Sequence, residues 1–261
     1  MQATQLTERY DREAVAYREL WAPILHVAAR GLVQRCASMP ARHVLDVGSG
    51  VGTLLPELRA AFPAAQVIGI DRSHGMLRLA PAEFPRAVMD ATQLAIPPAA
   101  ADLVLLAFIL FHLENPLDGL REARRVLRPG GHVGTLTWGG DLESNATRMW
   151  TECLDAHGAA AVDPATQARH DLVDTPEKME NLLREAGFHD ICAGTSDLVY
   201  TIELEHLLRL KTSLGSSKPR YDGLDTKARA ACVADARRRM QELAPDDFVA
   251  RGKIIFALAI A

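Results

Sequence analysis

Between residues 43 and 138 the apolar positions alternate between two rhythms. Short unbroken apolar runs read as buried strands. They are separated by stretches in which apolar residues recur every third or fourth position and read as helices. The runs predict strands at 43–47, 66–70, near Ala87-Val88-Met89, from Asp102 to Ala107 and from Val133 to Trp138. The spaced stretches predict helices at about 52–62, ended by Phe62-Pro63, and at about 73–80. A further helix is capped by Asn115 with Pro116 at its first position, turns Leu117, Leu120 and Leu127 inward, and stops at Pro129-Gly130-Gly131. Strand–helix alternation with continuously apolar strands implies a parallel sheet covered by helices on both faces.

The flanks behave differently. Residues 8–38 carry Ala14, Tyr17, Leu20 and Trp21, then Ile24, Leu25, Ala28 and Leu32, at helical spacing. Pro23 starts a second helix there, and Met39-Pro40 ends the segment. The rhythm is lost over 139–174, where one short helix near 145–157 is expected inside an insertion over the site. Thr175-Pro176 opens a helix that ends at Gly187. Strand-like Cys192 and Leu198 to Ile202 follow, then a helix at 203–212 and a flexible loop from Ser213 to Asp222. A helix at 224–243 and a last strand from Ile254 to Ile260 complete the pattern. The expected organisation is an N-terminal helical lid over 1–38 and a main domain over 39–261. Cap segments are expected at about 139–174 and 203–222.

The most specific stretch is Val44-Leu45-Asp46-Val47-Gly48-Ser49-Gly50-Val51-Gly52. A buried strand breaks into glycines at every second position, where the missing Cβ lets the backbone approach a ligand. The next strand ends on Asp71, placed to accept hydrogen bonds from a ribose diol. Together they describe a pocket for an adenosine-containing cofactor. The dinucleotide fingerprint Gly-x-Gly-x-x-Gly seats a pyrophosphate on a helix N-terminus. Here the spacing is one residue tighter, and Asp46 would repel a pyrophosphate but suit an ammonium group.

This stretch resembles the first motif of the class I S-adenosylmethionine (SAM) methyltransferases, over about residues 40–140. The resemblance implies a Rossmann-like α/β fold, a seven-stranded sheet with an antiparallel last strand. The phrase from Arg121 to Gly131 is especially similar to the small-molecule branch that includes the ubiquinone and menaquinone biosynthesis methyltransferases. By resemblance, Gly48, Ser49, Gly50 and Gly52 wrap the amino-acid end of SAM, Asp46 meets its ammonium and Asp71 takes the ribose. Arg72 and Met76 follow along the adenine face, and Asp90 and Ala91 contact adenine; Met76 reads equally as core and Asp90 as a turn residue. Ala107 and Phe108 end the fourth strand beside the methyl donor. His112 follows as the histidine placed to take a proton from the acceptor, with a helix cap or a cofactor contact as its alternatives. The pattern Tyr10-Asp11-x-x-Ala14-x-x-Tyr17 resembles a segment that folds over the cofactor, with Tyr17 reaching it or packing in the core.

Composition narrows the function classes. The 261-residue chain has a formal net charge of −4, so no global attraction to nucleic acid or anionic membrane is expected. Arg124-Arg125 and Arg237-Arg238-Arg239 read as solvated helix faces. The N-terminus shows no apolar signal region, and the apolar run from Leu103 to Phe111 is too short to span a bilayer. Cys36, Cys153, Cys192 and Cys232 are too scattered for zinc or redox pairs, consistent with a reducing cytoplasm. No acid follows the fourth strand, so no metal is expected. The reading is methyl transfer from SAM to O, N or C of a small-molecule acceptor. The rivals are an NAD-dependent Rossmann oxidoreductase and a non-catalytic SAM-binding protein.

Overall fold

The structure, a computed structural model, describes residues 3–162 and 164–261. Five strands run parallel: β1 (His43–Val47), β2 (Gln66–Asp71), β3 (Arg86–Val88), β4 (Ala101–Ala107) and β5 (Leu127–Trp138). β6 (His189–Thr201) and β7 (Val249–Ile260) complete one seven-stranded sheet in the order β3-β2-β1-β4-β5-β7-β6. β7 is antiparallel to both its neighbours, as the resemblance implies. The central strands are sealed on both faces, with Val44, Leu103, Val104, Leu105 and Leu106 fully buried. The chain leaves β1 towards β2 on one side, while β4 lies on the other. That reversal opens a crevice at the carboxyl ends of the strands, where open α/β sheets bind ligands.

The helices are α1 (Ala3–Ala16), α2 (Ala22–Cys36), α3 (Leu55–Ala61), α4 (His74–Leu77), α5 (Pro116–Val126) and α6 (Asn145–Ala156). They continue with α7 (Pro164–His170), α8 (Pro176–Glu185), α9 (Leu204–Ser213), α10 (Lys218–Asp222) and α11 (Thr226–Met240). α5 shows how sequence makes them. The Asn115 side chain accepts from the Leu117 N–H, and Pro116 occupies the first turn. Leu117, Leu120, Ala123 and Val126 recur every third residue and are buried. Leu120→Ala would cost about 2–5 kcal/mol by leaving a cavity in the core.

Several boundaries differ from expectation. α5 ends at Val126, before the Pro-Gly-Gly stop, because Leu127 is already extended and pairs with Ala101. Tyr17–Trp21 forms a π-helical turn joining α1 to α2, a local distortion common at functional sites. The 139–174 segment holds a second helix, α7, and the expected 213–222 loop contains α10. Cys192 and Leu198–Thr201 are not separate: one strand, β6, covers both, held by its long ladder with β7, and Ile202 lies just past its end.

The arginine runs lie on exposed or half-buried helix faces and also tie neighbouring segments together. Arg125 donates to the Leu94 and Ile96 carbonyls, both at 2.9 Å. Arg124 donates to the Gly187 carbonyl at 2.8 Å, and Arg237 forks onto Glu205.

Candidate active site

The glycine loop folds back over β2. The Gly48 and Ser49 N–H groups both donate to the Ile70 carbonyl, at 2.7 and 2.9 Å. Gly48 has φ +78°, and a Cβ there would fall 2.1 Å from Ile109 Cγ2. Gly50 has φ +56°, and its Cβ would press on Met76 and approach Tyr17. Only glycine allows both the conformation and the contact.

Asp71 organises the crevice. One carboxylate oxygen accepts from the Gly50 N–H and the other from the Ser73 N–H, each at 2.8 Å. A single acid thus fixes the loop after β1 and the start of α4. Ser73 caps α4 by accepting from the Met76 N–H at 3.1 Å.

The electrostatics favour a cation. Asp46 is 2% exposed, and among the described residues its Oδ2 has no hydrogen-bond partner. Burial, reinforced by the Asp71 charge, pushes its pKa up to about 7. Burial also raises that of Asp71, against the two N–H donors that favour its charged form. The Ser49 hydroxyl is likewise buried without a partner among the described residues. Unpaired buried polar atoms of this kind are costly unless a ligand completes them. A cavity of about 40 Å³ lies here, lined by Tyr17, Asp46, Gly48, Ser49, Ala107 and Phe108 among others. A larger one of about 290 Å³ lies away from this chemistry, between α2 and the β6–β7 ladder.

α1 crosses the crevice and clasps both of its sides. Asp11 Oδ1 accepts from the Ser73 hydroxyl at 2.6 Å and from the Gly75 N–H at 2.7 Å. The Ser73 hydroxyl holds the Asp11 carboxyl below its usual pKa. A Cβ on Gly75 would sit 2.8 Å from Asp11 Cα, so Gly75 admits the helix. One residue earlier, the Tyr10 hydroxyl meets His112 Nε2 at 2.9 Å. Burial raises the Tyr10 pKa to about 12. Burial also lowers that of His112 to about 3, helped by His170, Arg72, Arg9 and Arg169. The bond therefore joins a protonated phenol to a neutral imidazole, its direction set by the tautomer.

Beyond β4 the surfaces are aromatic. Phe108 takes a left-handed φ of +58°, which non-glycine residues adopt at a cost of about 1–3 kcal/mol, and its ring lies 4.8 Å from Trp138. Phe111 stacks on His170 at 4.3 Å and neighbours His112 at 4.4 Å.

The structure brings Tyr17, Asp46, Gly48, Ser49, Gly50, Asp71, Ala107, Phe108 and His112 together at the carboxyl edge. Met76 packs with Ala14, Ala22 and Val51 in a small apolar cluster under α1. Asp90 makes a local turn, accepting from the Thr92 N–H and hydroxyl. Tyr10 and Asp11, part of the N-terminal pattern, border the crevice through His112 and through Ser73 and Gly75, two residues that no motif marks. Ser73 carries a local signal, as a serine just before a helix.

The sheet order, the switch-point crevice and the glycine loop with two strand-end acids define the fold of the SAM-dependent methyltransferases. Residues 45–134 match the family described as methyltransferase domain. A malonyl-[acyl-carrier protein] O-methyltransferase of Methylococcus capsulatus is 30% identical over 188 residues, 70% of this chain and 62% of that protein. A ubiquinone/menaquinone biosynthesis C-methyltransferase of Syntrophotalea carbinolica is 36% identical over 109 residues, 39% of this chain and 46% of that one. The chain spans about half the length of the curated relatives it matches. Among solved structures, a Haemonchus contortus phosphoethanolamine N-methyltransferase 2 with S-adenosyl-L-methionine aligns with TM-score 0.55 and 20% identity. It covers 96% of this chain and 57% of that one. A SAM-dependent methyltransferase from Thermotoga maritima aligns with TM-score 0.53 and 17% identity, over 97% and 99% of the two chains.

Proposed function

We propose that this protein transfers a methyl group from SAM to an O, N or C atom of a small-molecule acceptor. The observation that carries this reading is the buried acid pair at the ends of β1 and β2. Asp46 and Asp71 flank a glycine loop in which Asp46 Oδ2 lacks a partner among the described residues. A ligand bearing an ammonium and a ribose diol completes these groups, whereas a pyrophosphate would add charge of the same sign. Under this reading Asp46 and Ser49 hold the amino-acid end, the backbone at Gly48, Gly50 and Gly52 lies along it, and Asp71 takes the ribose. Arg72, Met76, Asp90 and Ala91 border the adenine, and Ala107 and Phe108 border the donor methyl.

SAM supplies an electrophilic methyl group on a sulfonium. The residues of this chain contribute alignment and dehydration. α1 and the π turn carrying Tyr17 act as a lid over residues 1–38, and the segments 139–174 and 203–222 cap the acceptor side. His112, neutral and bonded to Tyr10, presents a ring nitrogen that orients the O–H or N–H of the acceptor, whose proton passes to solvent because burial leaves the imidazole a weak base. No described helix is long and apolar enough to cross a membrane. The four described cysteines are free, which fits a reducing compartment, and we place the protein in the cytoplasm on that ground. Incubation with methyl-labelled SAM and hydroxyaryl, amine and carboxylate acceptors tests the activity. Acceptor-dependent formation of S-adenosylhomocysteine is expected. Binding of SAM without turnover on any acceptor would favour a binding protein instead.

A further inference from the structure

α2 carries a glycine in its interior, Gly31, where alanine would make the more stable helix. No close approach of another segment requires it: a Cβ on Gly31 would meet nothing within 4 Å. What lies beside Gly31 is the cavity of about 290 Å³ between α2 and the β6–β7 ladder. Its lining is mainly apolar, with Leu32 from α2, Leu136 from β5, Leu198 from β6 and Ile254 from β7, all buried. Val27 and Val199 line it too, yet stay 51% and 48% exposed, so the cavity reaches the surface at an apolar rim.

One turn beyond Gly31, on the same face of α2, Arg35 brings a charge to this apolar space. Its guanidinium carbon lies 3.8 Å from the centroid of the Phe256 ring, and Nη2 donates to the Ser196 hydroxyl at 3.2 Å. Both partners line the cavity. Among the described residues Arg35 makes no ion pair. The acid of the lining, Asp197, is taken by Lys253. Arg35 therefore keeps donors of its planar fork for an oxyanion, while its stacking on Phe256 holds the group in place. Size sets the rest. An apolar cavity of about 150 Å³ holds one benzene, so this one takes a larger ring or a chain of several carbons.

We propose that this cavity is a second binding site, and that its ligand is a small amphiphilic carboxylate. The apolar chain fills the space beside Gly31, and the carboxylate meets Arg35 at the rim. α2 separates this site from the cofactor crevice: Leu25, His26 and Ala29 line the smaller cavity at the glycine loop, and Gly31 and Arg35 line this one. The two cavities share no lining residue, so the second site stands whether or not the first binds SAM.

Two-dimensional NMR titration of the full chain with octanoate, butanoate and octanol tests this, since it reports affinity and location together. Octanoate should shift the amides of Val27 to Arg35 and Ser196 to Val199. It should bind at least about 10-fold more tightly than butanoate, because each buried methylene adds roughly 4-fold. It should also bind about 3–10-fold more tightly than octanol, the scale of an ion pair at an exposed guanidinium. Gly31→Leu puts a side chain into the open space and should weaken octanoate at least about 10-fold, with Tm held or raised because the helix loses its glycine. Arg35→Gln should remove the preference for octanoate over octanol and leave octanol binding within about 2-fold, as the apolar contacts remain. Arg35 is exposed, so that variant decides the matter even if Gly31→Leu does not fold. Several results would overturn the proposal: no octanoate binding, shifts centred on Gly48 to Gly52 instead, affinity unchanged by Gly31→Leu, or a carboxylate preference that survives Arg35→Gln. A dimer in solution that Gly31→Leu disrupts, with no response to octanoate, would overturn it in favour of an interface between two copies of the chain.

Discussion

Tyr10 and His112 meet at 2.9 Å although 102 residues separate them in the chain. That bond ties α1 to the turn after β4, and the neighbouring Asp11 ties it to the start of α4 after β2. One turn of one helix thus holds both strand ends that border the crevice. Ligand exchange and opening of this clasp should be coupled. Tyr10→Phe keeps the ring and removes the hydroxyl, at a cost of about 0.5–1.5 kcal/mol for the lost hydrogen bond. Stopped-flow release of S-adenosylhomocysteine should accelerate by up to about 10-fold. An unchanged release rate would remove the clasp from the ligand cycle.

His112→Ala should lower turnover by about 10–10²-fold with SAM affinity nearly intact, through lost orientation of the acceptor. The sign of its shift makes a second statement. With a pKa lowered to about 3, His112 is neutral across pH 5–9, so it can contribute no acid limb to the turnover profile there. A single-turnover profile with a wild-type limb near pH 6.5 that vanishes in His112→Ala would contradict this environment.

Asp46 gives the site its pH dependence. Its folded pKa, raised to about 7, lies above the ordinary carboxylate value of 3.8. The native ligand-free protein therefore binds more protons than the unfolded chain. The stability contribution of this group is full below about pH 4 and is lost as pH rises through about 7. Asp46→Asn should raise the ligand-free Tm at pH 8, by on the order of 1–3 kcal/mol of stability, and should weaken SAM binding. In the wild type, kcat/KM for SAM should fall below about pH 7 as Asp46 gains its proton. A variant destabilised at pH 8 with unaltered SAM affinity would refute the assignment.

Gly48→Ala would place a methyl group 2.1 Å from Ile109 Cγ2 in a backbone with φ +78°. The backbone conformation alone disfavours alanine by about 1–3 kcal/mol. Thermal unfolding should show the loss, and calorimetry should show at least 10-fold weaker SAM binding. Gly130→Ala is the control: it also has positive φ, but nothing lies within 4 Å of its would-be Cβ and it is far from the crevice. Similar SAM affinity in the two variants would count against the close-approach role of Gly48.

The sheet and the glycine loop with its two strand-end acids were legible because they are local. Val44 to Gly52 and Val67 to Asp71 each combine a buried strand with a turn that only certain residues make. The clasp was not legible. The Tyr10-Asp11 pattern marks the segment, but the partners of Asp11 are invisible until folding brings Ser73 and Gly75 to it across more than 60 positions. Met76, open in the sequence between the adenine face and the core, is buried in an apolar cluster under α1, against Gly50 of the glycine loop. The π turn at Tyr17–Trp21 keeps the helical rhythm of its neighbours, so periodicity passes through it unmarked. β6 was read as two pieces because its residues are mostly exposed and lack alternation; its ladder with β7 makes it one strand.

The central claim is that the crevice between β1 and β2 binds SAM. Calorimetric titration of the full chain with SAM and with NAD, repeated on Asp71→Ala, tests it most directly. SAM should bind and NAD should not, and Asp71→Ala should weaken SAM by about 1–3 kcal/mol through loss of charge-assisted hydrogen bonds. Preferential binding of NAD, or SAM affinity unchanged by Asp71→Ala, would contradict it.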